Sequence, residues 1–245
     1  MNIDYKFLYY ENVSSTNELA TELIKQEKAA HGTVVIAGNQ TAGKGQRNNT
    51  WHSEPLMNLT MSIILRPKKI SPVKQFYISK IISLAVCSCL EQHSASFSIK
   101  WPNDIYYKSD KIAGILIEHS IIGNKISASV CGLGLNINQT EFAGILRNPV
   151  SLKNIMGRDF NIQEIQDGIL AKLSNLYRLL EEGKFNKIDK AYLGRLYLLG
   201  KESEFIANGK TFRGIISGIN NSGQLVMTLP DGKDRSFSFK EIEFV

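Results

Sequence analysis

The chain has 245 residues, of which 43% are hydrophobic and 21% charged, and its formal net charge is +6 at pH 7. The length allows one good-sized domain with a small second part, and the composition is that of an ordinary soluble protein. No basic segment followed by an apolar run begins the chain and no apolar stretch approaches 18 residues, so neither a secretory signal nor a membrane span is predicted.

The first 140 residues alternate helices and strands. A helix begins at 14–18 and extends to about Gln26, with apolar side chains on one face. The patterns then predict strands at 33–40 and 57–67, a long buried helix at 73–91, and strands at 97–107, 111–120 and 125–138. Asp110 and Gly123-Asn124 make turns so tight that the strands they join must be antiparallel. The sheet is therefore expected to be mixed at most.

The pattern changes after two further helices, at about 162–182 and 186–196. Beyond Gly200, four or five short strands fill about fifty residues and are separated by turn sequences such as Asn208-Gly209. Such a segment predicts a small β-barrel. We expect an α+β fold with a boundary near Leu198, which divides the chain into residues 1–198 and 199–245.

The charge and the cysteines limit the partners and the compartment. The positive charge is spread along the chain, and an acidic protein or a phosphate-bearing ligand explains it as well as nucleic acid does. Cys87, Cys89 and Cys131 lie in apolar stretches without the spacing of metal ligands. They predict reduced, buried thiols and a cytoplasmic protein.

A glycine-rich basic loop follows the strand at 33–40. The stretch GNQTAGKG (38–45) matches a phosphate-binding P-loop until its last position, where Gly45 replaces the hydroxyl residue that binds Mg²⁺. A P-loop must also start a helix there, whereas the chain continues QRNNTWHSEP without helical periodicity. The sequence therefore predicts a loop that is not a P-loop.

Two further motifs stand out. In KWPND (100–104), Pro102 removes a backbone donor and presents Asn103 and Asp104 at a break in the sheet, followed by KIAGI (111–115). In GLGLNIN (132–138), alternating glycines within an apolar strand favour close approach by another backbone or a flat ligand. Taken singly, the first could be a stiff turn and the second tight packing of sheet against helix.

Together these motifs resemble the biotin–protein ligase family. The matching pieces are SSTN (14–17), QTAGKGQR (40–47) with its trailing Trp51, KWPND (100–104), KIAGIL (111–116) and GLGLNIN (132–138). The resemblance implies a class II aminoacyl-tRNA-synthetase-like catalytic domain with an SH3-like C-terminal barrel. It implies adenylation of biotin to biotinyl-5′-AMP by ATP with Mg²⁺, and transfer to a lysine of a biotin carboxyl carrier protein.

The same resemblance implies the site residues. The implied biotin-binding residues are Ser15, Thr16, Asn17, Gln40, Gly43, Lys44, Gly45, Gln46, Lys111, Gly114 and Gly132. The implied ATP-binding residues are Lys44, Arg47, Trp51, Asn103, Lys111, Asn136 and Lys240, and the catalytic residues are Lys111, Asp104, Lys44 and Arg47. Metal ligands are not assigned. The family usually has arginine at the position of Lys44, often arginine at Gln46 and often glycine at Asn48, and Arg47 could supply the missing guanidinium.

The implied chemistry needs positive charge more than a base. A carboxylate is already ionised at pH 7, so its attack on the α-phosphate is hindered mainly by repulsion between anions. Lys111 is the first candidate to relieve that repulsion. In the second step, Asp104 could hold or deprotonate the carrier amine. The glycine-rich loop is expected to order over the adenylate and exclude water, and the segment 139–150 to close over adenine.

Two alternatives remain open at this stage. A lipoate–protein ligase shares the fold, although KWPND with the lysine seven positions later suits the biotin branch better. A biotin-responsive DNA-binding regulator would carry a helix-turn-helix before the ligase part, and only 13 residues precede Ser14. The sequence thus predicts a short form without that domain, and it leaves open whether the chain forms a homodimer.

Overall fold

The computed structural model describes residues 3–46, 49–142 and 148–245. The strands are β1 (Lys6–Val13), β2 (Thr33–Gln40), β3 (Leu59–Leu65), β4 (Phe97–Lys100), β5 (Asp104–Tyr107), β6 (Asp110–Ile122), β7 (Lys125–Leu135), β8 (Glu202–Ala207), β9 (Lys210–Ile219), β10 (Leu225–Thr228), β11 (Asp234–Phe237) and β12 (Glu243–Phe244). The helices are α1 (Thr16–Lys25), α2 (Phe76–Leu90), α3 (Leu152–Met156), α4 (Ile162–Glu181) and α5 (Phe185–Leu193).

The first seven strands form one mixed sheet in the order β1-β2-β3-β7-β6-β5-β4. Strands β1 and β2 are parallel, and each of the other neighbouring pairs is antiparallel. The expected mixed sheet is therefore confirmed. Strand β1 was not predicted, because it is an edge strand whose exposed and half-buried residues do not alternate strictly.

One strand prediction was wrong. Residues 97–107 were expected to form a single strand, but they form the antiparallel pair β4 and β5, with Ile99 opposite Ile105. The chain folds back at Trp101-Pro102-Asn103, where Pro102 cannot donate to a ladder. The short helix α3 was also not predicted. It begins at Ser151, whose Oγ accepts a hydrogen bond from the Asn154 amide at 3.1 Å.

Helices cover both faces of the sheet. Helices α2, α4 and α5 pack on one face and build the larger core, while α1 packs on the other face against Val35, Ile64 and Val130. By length and composition, the segment 72–90 could cross a membrane, but most of it is buried inside the fold. Its apolar surface on all sides is explained by its place between the sheet and α4.

The last five strands form an antiparallel sheet in the order β11-β10-β9-β8-β12. This sheet fits the expected SH3-like C-terminal part. It contacts the first sheet at the KWPND loop, where Trp101 Nε1 donates to the Gly223 carbonyl at 2.9 Å. The Phe239 ring lies 5.1 Å from the Trp101 ring, and the backbone of Gly223 lies so close to Phe76 that a Cβ there would overlap the ring.

An ion pair between a buried lysine and a partly exposed aspartate joins α2 to α5. Lys80 Nζ lies 2.6 Å from Asp189 Oδ1, and the Tyr77 hydroxyl donates to the other carboxylate oxygen at 2.7 Å. The Lys80 side chain is only 6% exposed, so it depends on Asp189 for its compensation.

We expect Asp189→Ala to lower the free energy of unfolding by about 3 kcal/mol, because it leaves the Lys80 ammonium buried without its partner. Urea unfolding measures the change. The matched control is Asp159→Ala, which breaks the Lys153 ion pair where the aspartate side chain is 74% exposed. That variant should lose less than about 1 kcal/mol, and equal losses in the two variants would contradict the burial argument.

Candidate active site

Three glycines leave one patch of the first sheet without side chains. Gly114 on β6 lies opposite Gly134 on β7, and Gly132 is two residues away on the same face. A Cβ at Gly134 would overlap the Trp51 indole, and a Cβ at Gly132 would overlap the Asn17 side-chain oxygen. The glycines of GLGLNIN therefore allow side chains from α1 and from the loop after β2 to lie directly on the sheet. We call this patch the glycine floor.

A cleft lies above the glycine floor. It is enclosed by the N-terminus of α1, the loop after β2 and the KWPND loop. Its lining residues are Ser15, Thr16, Asn17, Gln40, Lys44, Gly45, Gln46, Trp51, Asn103, Asp104, Lys111, Gly114, Ile115, Leu116, Gly132, Leu133 and Gly134. Residues from all five sequence motifs thus meet in one place.

A chain of polar side chains runs along one end of the cleft. Gln40 Oε1 accepts from the Thr16 amide at 2.8 Å and from the Thr16 hydroxyl at 3.1 Å, which leaves the Gln40 amide nitrogen next to Gly43. Ser62 Oγ lies 2.7 Å from Thr16 Oγ1 and 2.6 Å from Asn17 Oδ1. All these groups are held by hydrogen bonds, so their donors and acceptors have fixed directions.

Asn17 completes this network. Its side-chain nitrogen donates to the Glu118 carboxylate at 2.7 Å and lies 3.3 Å from the Leu116 carbonyl oxygen. Its oxygen therefore points to the other side, over Gly132 and towards Ser62. Asn17 thus supplies a fixed acceptor on the glycine floor, and the Gln40 amide nitrogen is a donor beside the Gly43 backbone.

An ion pair lies at the other end of the cleft. Lys111 Nζ is 2.8 Å from Asp104 Oδ1, and both side chains are partly exposed. The main chain of Lys111 is held by residues 148–150, since its amide donates to the Asn148 carbonyl at 2.8 Å and its carbonyl accepts from Val150 at 3.0 Å. The Asn103 side chain donates to the Ile115 carbonyl at 2.5 Å, which fixes the KWPND loop to β6.

The loop after β2 turns back on itself. The Trp51 amide donates to the Gly43 carbonyl at 2.9 Å, and Lys44 and Thr50 pair as an antiparallel bridge. The loop is therefore not a P-loop. Lys44 Nζ lies 2.6 Å from Glu18, and the hydrogen bond to this carboxylate raises the pKa of Lys44. Lys44 thus reaches the cleft as a side chain already paired with an acid.

Trp51 covers the other end of the glycine floor. The indole lies against Gly134 and Gly114, and Lys111 Nζ is 6.0 Å from the ring centre. The indole Nε1 is buried, and among the described residues no acceptor lies within hydrogen-bond distance of it. A Cβ at Gly134 would overlap this nitrogen, so the indole N–H faces the backbone of the glycine floor.

Three residues named from the sequence lie elsewhere. Gly43 is not part of the cleft lining but holds Trp51 through its carbonyl. Asn136 is buried and donates to the Val150 carbonyl at 3.1 Å, so it supports the segment beside Lys111. Lys240 lies in the connection between β11 and β12, exposed, with a positive φ of 81°. Arg47 lies outside the described residues.

Sequence reasoning did not find Ser62 and Glu118, the two residues that anchor Asn17. Ser62 lies within a strand of buried residues, and Glu118 looks like an ordinary exposed strand residue. Within the ranges 3–46, 49–142 and 148–245, no group of three His, Cys, Asp or Glu side chains could hold a metal ion. The three cysteines are buried and free, as predicted, and burial raises the pKa of Cys87 to about 12.

Comparisons with known proteins agree on one family. The model of the biotin/lipoate A/B protein ligase family matches residues 9–136. The bifunctional ligase/repressor BirA of Bacillus subtilis is 32% identical over 238 residues, which are 94% of this chain and 72% of BirA. The biotin--[acetyl-CoA-carboxylase] ligase of Paracoccus denitrificans is 28% identical over 229 residues, or 90% of this chain and 95% of the ligase.

A solved structure agrees as well. The biotin protein ligase of Aquifex aeolicus in complex with biotin and ATP superposes with a TM-score of 0.82 at 25% identity, over 98% of each chain. This likeness confirms the predicted α+β fold with its mixed sheet.

The glycine floor generates a direct test. We expect Gly134→Ala to displace the Trp51 indole, because the new Cβ would overlap the ring. Trp101, the other tryptophan, is only 3% exposed, so iodide quenching of fluorescence reports mainly on Trp51. Quenching should rise about twofold, since a close-packed site cannot absorb an added methyl group.

The control is Gly218→Ala in β9, where a Cβ would meet only Leu193, at 4.0 Å. Iodide should quench the fluorescence of Gly218→Ala to the same extent as that of the unchanged protein. If iodide quenches the fluorescence of Gly134→Ala no more than that of the unchanged protein, Trp51 does not lie on the glycine floor.

Proposed function

The chain belongs to the biotin/lipoate A/B protein ligase family, and from this premise we propose that it is an ATP-dependent biotin–protein ligase. It joins biotin to ATP as biotinyl-5′-AMP and then transfers the biotin to a lysine of a carrier protein. The observation that carries the proposal is a single cleft with fixed hydrogen-bonding groups at one end and the Lys111–Asp104 pair at the other.

The polar end of the cleft suits the ureido ring of biotin. A ureido group has one carbonyl acceptor and two N–H donors, and the cleft offers a donor from Gln40 and an acceptor from Asn17. Asn17 is 3% exposed and Ser62 is fully buried, and their hydrogen bonds to each other, to Thr16 and to Glu118 keep these groups in fixed directions.

The same argument separates biotin from lipoate. The dithiolane ring of lipoate has no N–H or carbonyl group, so it could form no hydrogen bond with the Asn17 oxygen or the Gln40 amide nitrogen. Sites built to hydrogen-bond a substrate reject analogues that lack the bonding groups, by about 10⁴-fold or more in favourable cases. The polar network therefore supports the biotin branch of the family.

Lys111 is proposed to act in the first step. The carboxylate oxygen of biotin attacks the α-phosphorus of ATP, the bond to the β-phosphate breaks, and diphosphate leaves with the bonding electrons. Lys111 supplies positive charge where the two anions meet, and Asp104 holds its ammonium in place. Because the biotin carboxylate is already ionised at pH 7, no general base is needed for this step.

We propose that Mg²⁺ enters with ATP. Magnesium is commonly held by substrate phosphates, water and one or two carboxylates, and Asp104 is the carboxylate of the cleft. The ion would neutralise charge on the departing diphosphate. A cluster of three acidic ligands is not required for this mode of binding.

In the second step the amine of the carrier lysine attacks the acyl carbon of the adenylate. AMP leaves with the electrons of the broken C–O bond, and the amine loses a proton. Asp104 is the proposed group that orients the neutral amine of the carrier lysine and takes the one proton that the nitrogen loses on attack. The Asp104 carboxylate is 22% exposed, so a side chain entering from solvent can reach it.

Further assignments belong to the same proposal. Trp51, Asn103, Asn136, Arg47 and Lys240 are proposed to serve the nucleotide, with Asn136 acting through the segment beside Lys111. The carrier would be a biotin carboxyl carrier protein or domain of a biotin-dependent carboxylase. We also propose that residues 199–245 form a separate SH3-like unit and that the reaction occurs in the cytoplasm, where free thiols stay reduced.

The proposal is tested by incubating the protein with ATP and Mg²⁺ and either biotin or lipoate, and by measuring diphosphate release. We expect release with biotin and none above background with lipoate. Mass spectrometry should detect biotinyl-5′-AMP, and addition of a biotin carboxyl carrier domain should convert it to AMP and a biotinylated lysine. Diphosphate release with lipoate alone would contradict the proposal.

The role of Lys111 has its own test. Lys111→Ala should lower biotin-dependent diphosphate exchange about 10²–10³-fold, because its charge matters most as negative charge accumulates in the reaction. Biotin binding should remain measurable by calorimetry. Lys108→Ala removes an equal charge three residues away and should exchange normally; exchange by Lys111→Ala within about threefold of the unchanged protein contradicts the assignment.

The loop after β2 should protect the adenylate. We expect the amides of residues 40–50 to exchange more slowly with solvent deuterium once biotin and ATP are bound, since Gly43 and Gly45 allow the loop to close over the ligand. Hydrogen exchange followed by mass spectrometry measures this protection. Equal exchange with and without ligand would mean that the loop is a rigid wall and does not shield the adenylate by closing.

A further inference from the structure

Glu118 lies on β6, outside the cleft lining, yet it touches a residue of the cleft. Along the face of β6 that carries the glycine floor, Gly114 is followed by Leu116 and then by Glu118. The Glu118 carboxylate accepts a hydrogen bond from the Asn17 side chain at 2.7 Å. Asn17 itself is buried on the glycine floor.

The orientation of the Asn17 amide depends on what surrounds its nitrogen. The two groups beside that nitrogen, the Leu116 carbonyl and the Glu118 carboxylate, are both acceptors that cannot donate. If the amide turned over, its oxygen would face two acceptors and its nitrogen would point over Gly132 into the cleft. Ser62 does not determine the orientation of the Asn17 amide, because a hydroxyl group can donate or accept a hydrogen bond.

Glu118 is the stronger of these two determinants. The contact with the Leu116 carbonyl is 3.3 Å long, whereas the bond to Glu118 is 2.7 Å and involves a charged acceptor. Without Glu118, the amide would keep only the longer contact. The turned-over orientation, which presents a donor to the ligand, would then become accessible.

We propose that Glu118 is a positioning residue that keeps the Asn17 oxygen directed into the cleft, so that Asn17 accepts a hydrogen bond from an N–H group of the ligand. The inference rests on the proposed function and deepens it, because it assigns the recognition of the ureido N–H to an orientation set by Glu118. Glu118 makes no contact with the ligand itself.

The test compares kinetic constants for biotin and for ATP in diphosphate exchange. Glu118→Ala should raise the KM for biotin about tenfold, the usual cost of a poorly oriented charge-assisted hydrogen bond. The kcat and the KM for ATP should stay within about twofold, since uniform binding of one substrate is lost and the reacting end is untouched. Glu118→Gln keeps an acceptor for Asn17 without the charge, and it should restore most of the biotin affinity.

The matched control is Glu22→Ala. Glu22 lies in the same surface groove as Glu118 and is exposed, but its carboxylate bonds to Gln26 and not to Asn17. It removes the same negative charge from the groove and should leave all three constants unchanged. Thermal unfolding of Glu118→Ala should match that of the unchanged protein, because Glu118 is on the surface.

A double-mutant cycle shows whether Glu118 acts through Asn17. In an Asn17→Ala background, the further change Glu118→Ala should have no effect on biotin binding measured by calorimetry. Additive losses, an unchanged KM in Glu118→Ala, or a Glu118→Gln variant as weak as Glu118→Ala would overturn the inference. An unchanged protein that neither binds biotin nor exchanges diphosphate would instead overturn the proposed function, and this inference with it.

Discussion

The absence of three side chains determines how the cleft is built. Wherever two strands carry ordinary residues on one face, their Cβ atoms keep a ligand or another chain segment away from the backbone. At Gly114, Gly132 and Gly134 this barrier is missing, and the space is taken by Asn17 and Trp51. Any larger residue at Gly132 or Gly134 would collide with one of them, so the arrangement of α1 and of the loop after β2 depends on the glycine floor.

The charged end of the cleft is fixed by the backbone instead. Strand β5 ends its pairing with β6 at Asp104 and Gly114, and the Asn103 carbonyl then accepts from the Ile115 amide at 2.9 Å. On its other side, the Lys111 backbone pairs with Pro149 in a parallel bridge. Lys111 and Asp104 therefore have little freedom to separate. The polar end of the cleft depends on the glycine floor, and the charged end depends on backbone hydrogen bonds. Substitutions can therefore change ligand binding at one end without changing the Lys111–Asp104 pair at the other.

The sequence predicts much of this arrangement, for physical reasons that differ between elements. Strand β2 and helix α2 are buried over nearly their whole length, so their apolar patterns are strong and their positions were predicted well. Strand β1 has exposed aromatic side chains, Phe7 and Tyr9, and pairs on one side only, so it left no clear pattern. The division of 97–107 into β4 and β5 depends on a fold-back that periodicity does not reveal.

The site was predictable as far as its motifs extend. SSTN, KWPND, KIAGIL and GLGLNIN carry residues that converge in the cleft, and the glycine pattern alone indicated a close approach. Ser62 and Glu118 could not be found in this way, because a residue that orients another has no chemical signature of its own. The ion pair between Lys44 and Glu18 could not be predicted from the sequence either, because the two residues come together only in the folded structure.

The bond between Trp101 and Gly223 has a consequence for how the chain can change in length. Surface turns usually tolerate inserted residues, because little depends on the exact path of their backbone. The turn between β9 and β10 differs, since the acceptor it offers to Trp101 is a main-chain carbonyl. The turn is held in place from within, because the Asn220 side chain accepts from the Ser222 and Gln224 amides at 3.1 and 3.0 Å, and one added residue would shift the Gly223 oxygen. This turn should therefore resist insertions and deletions.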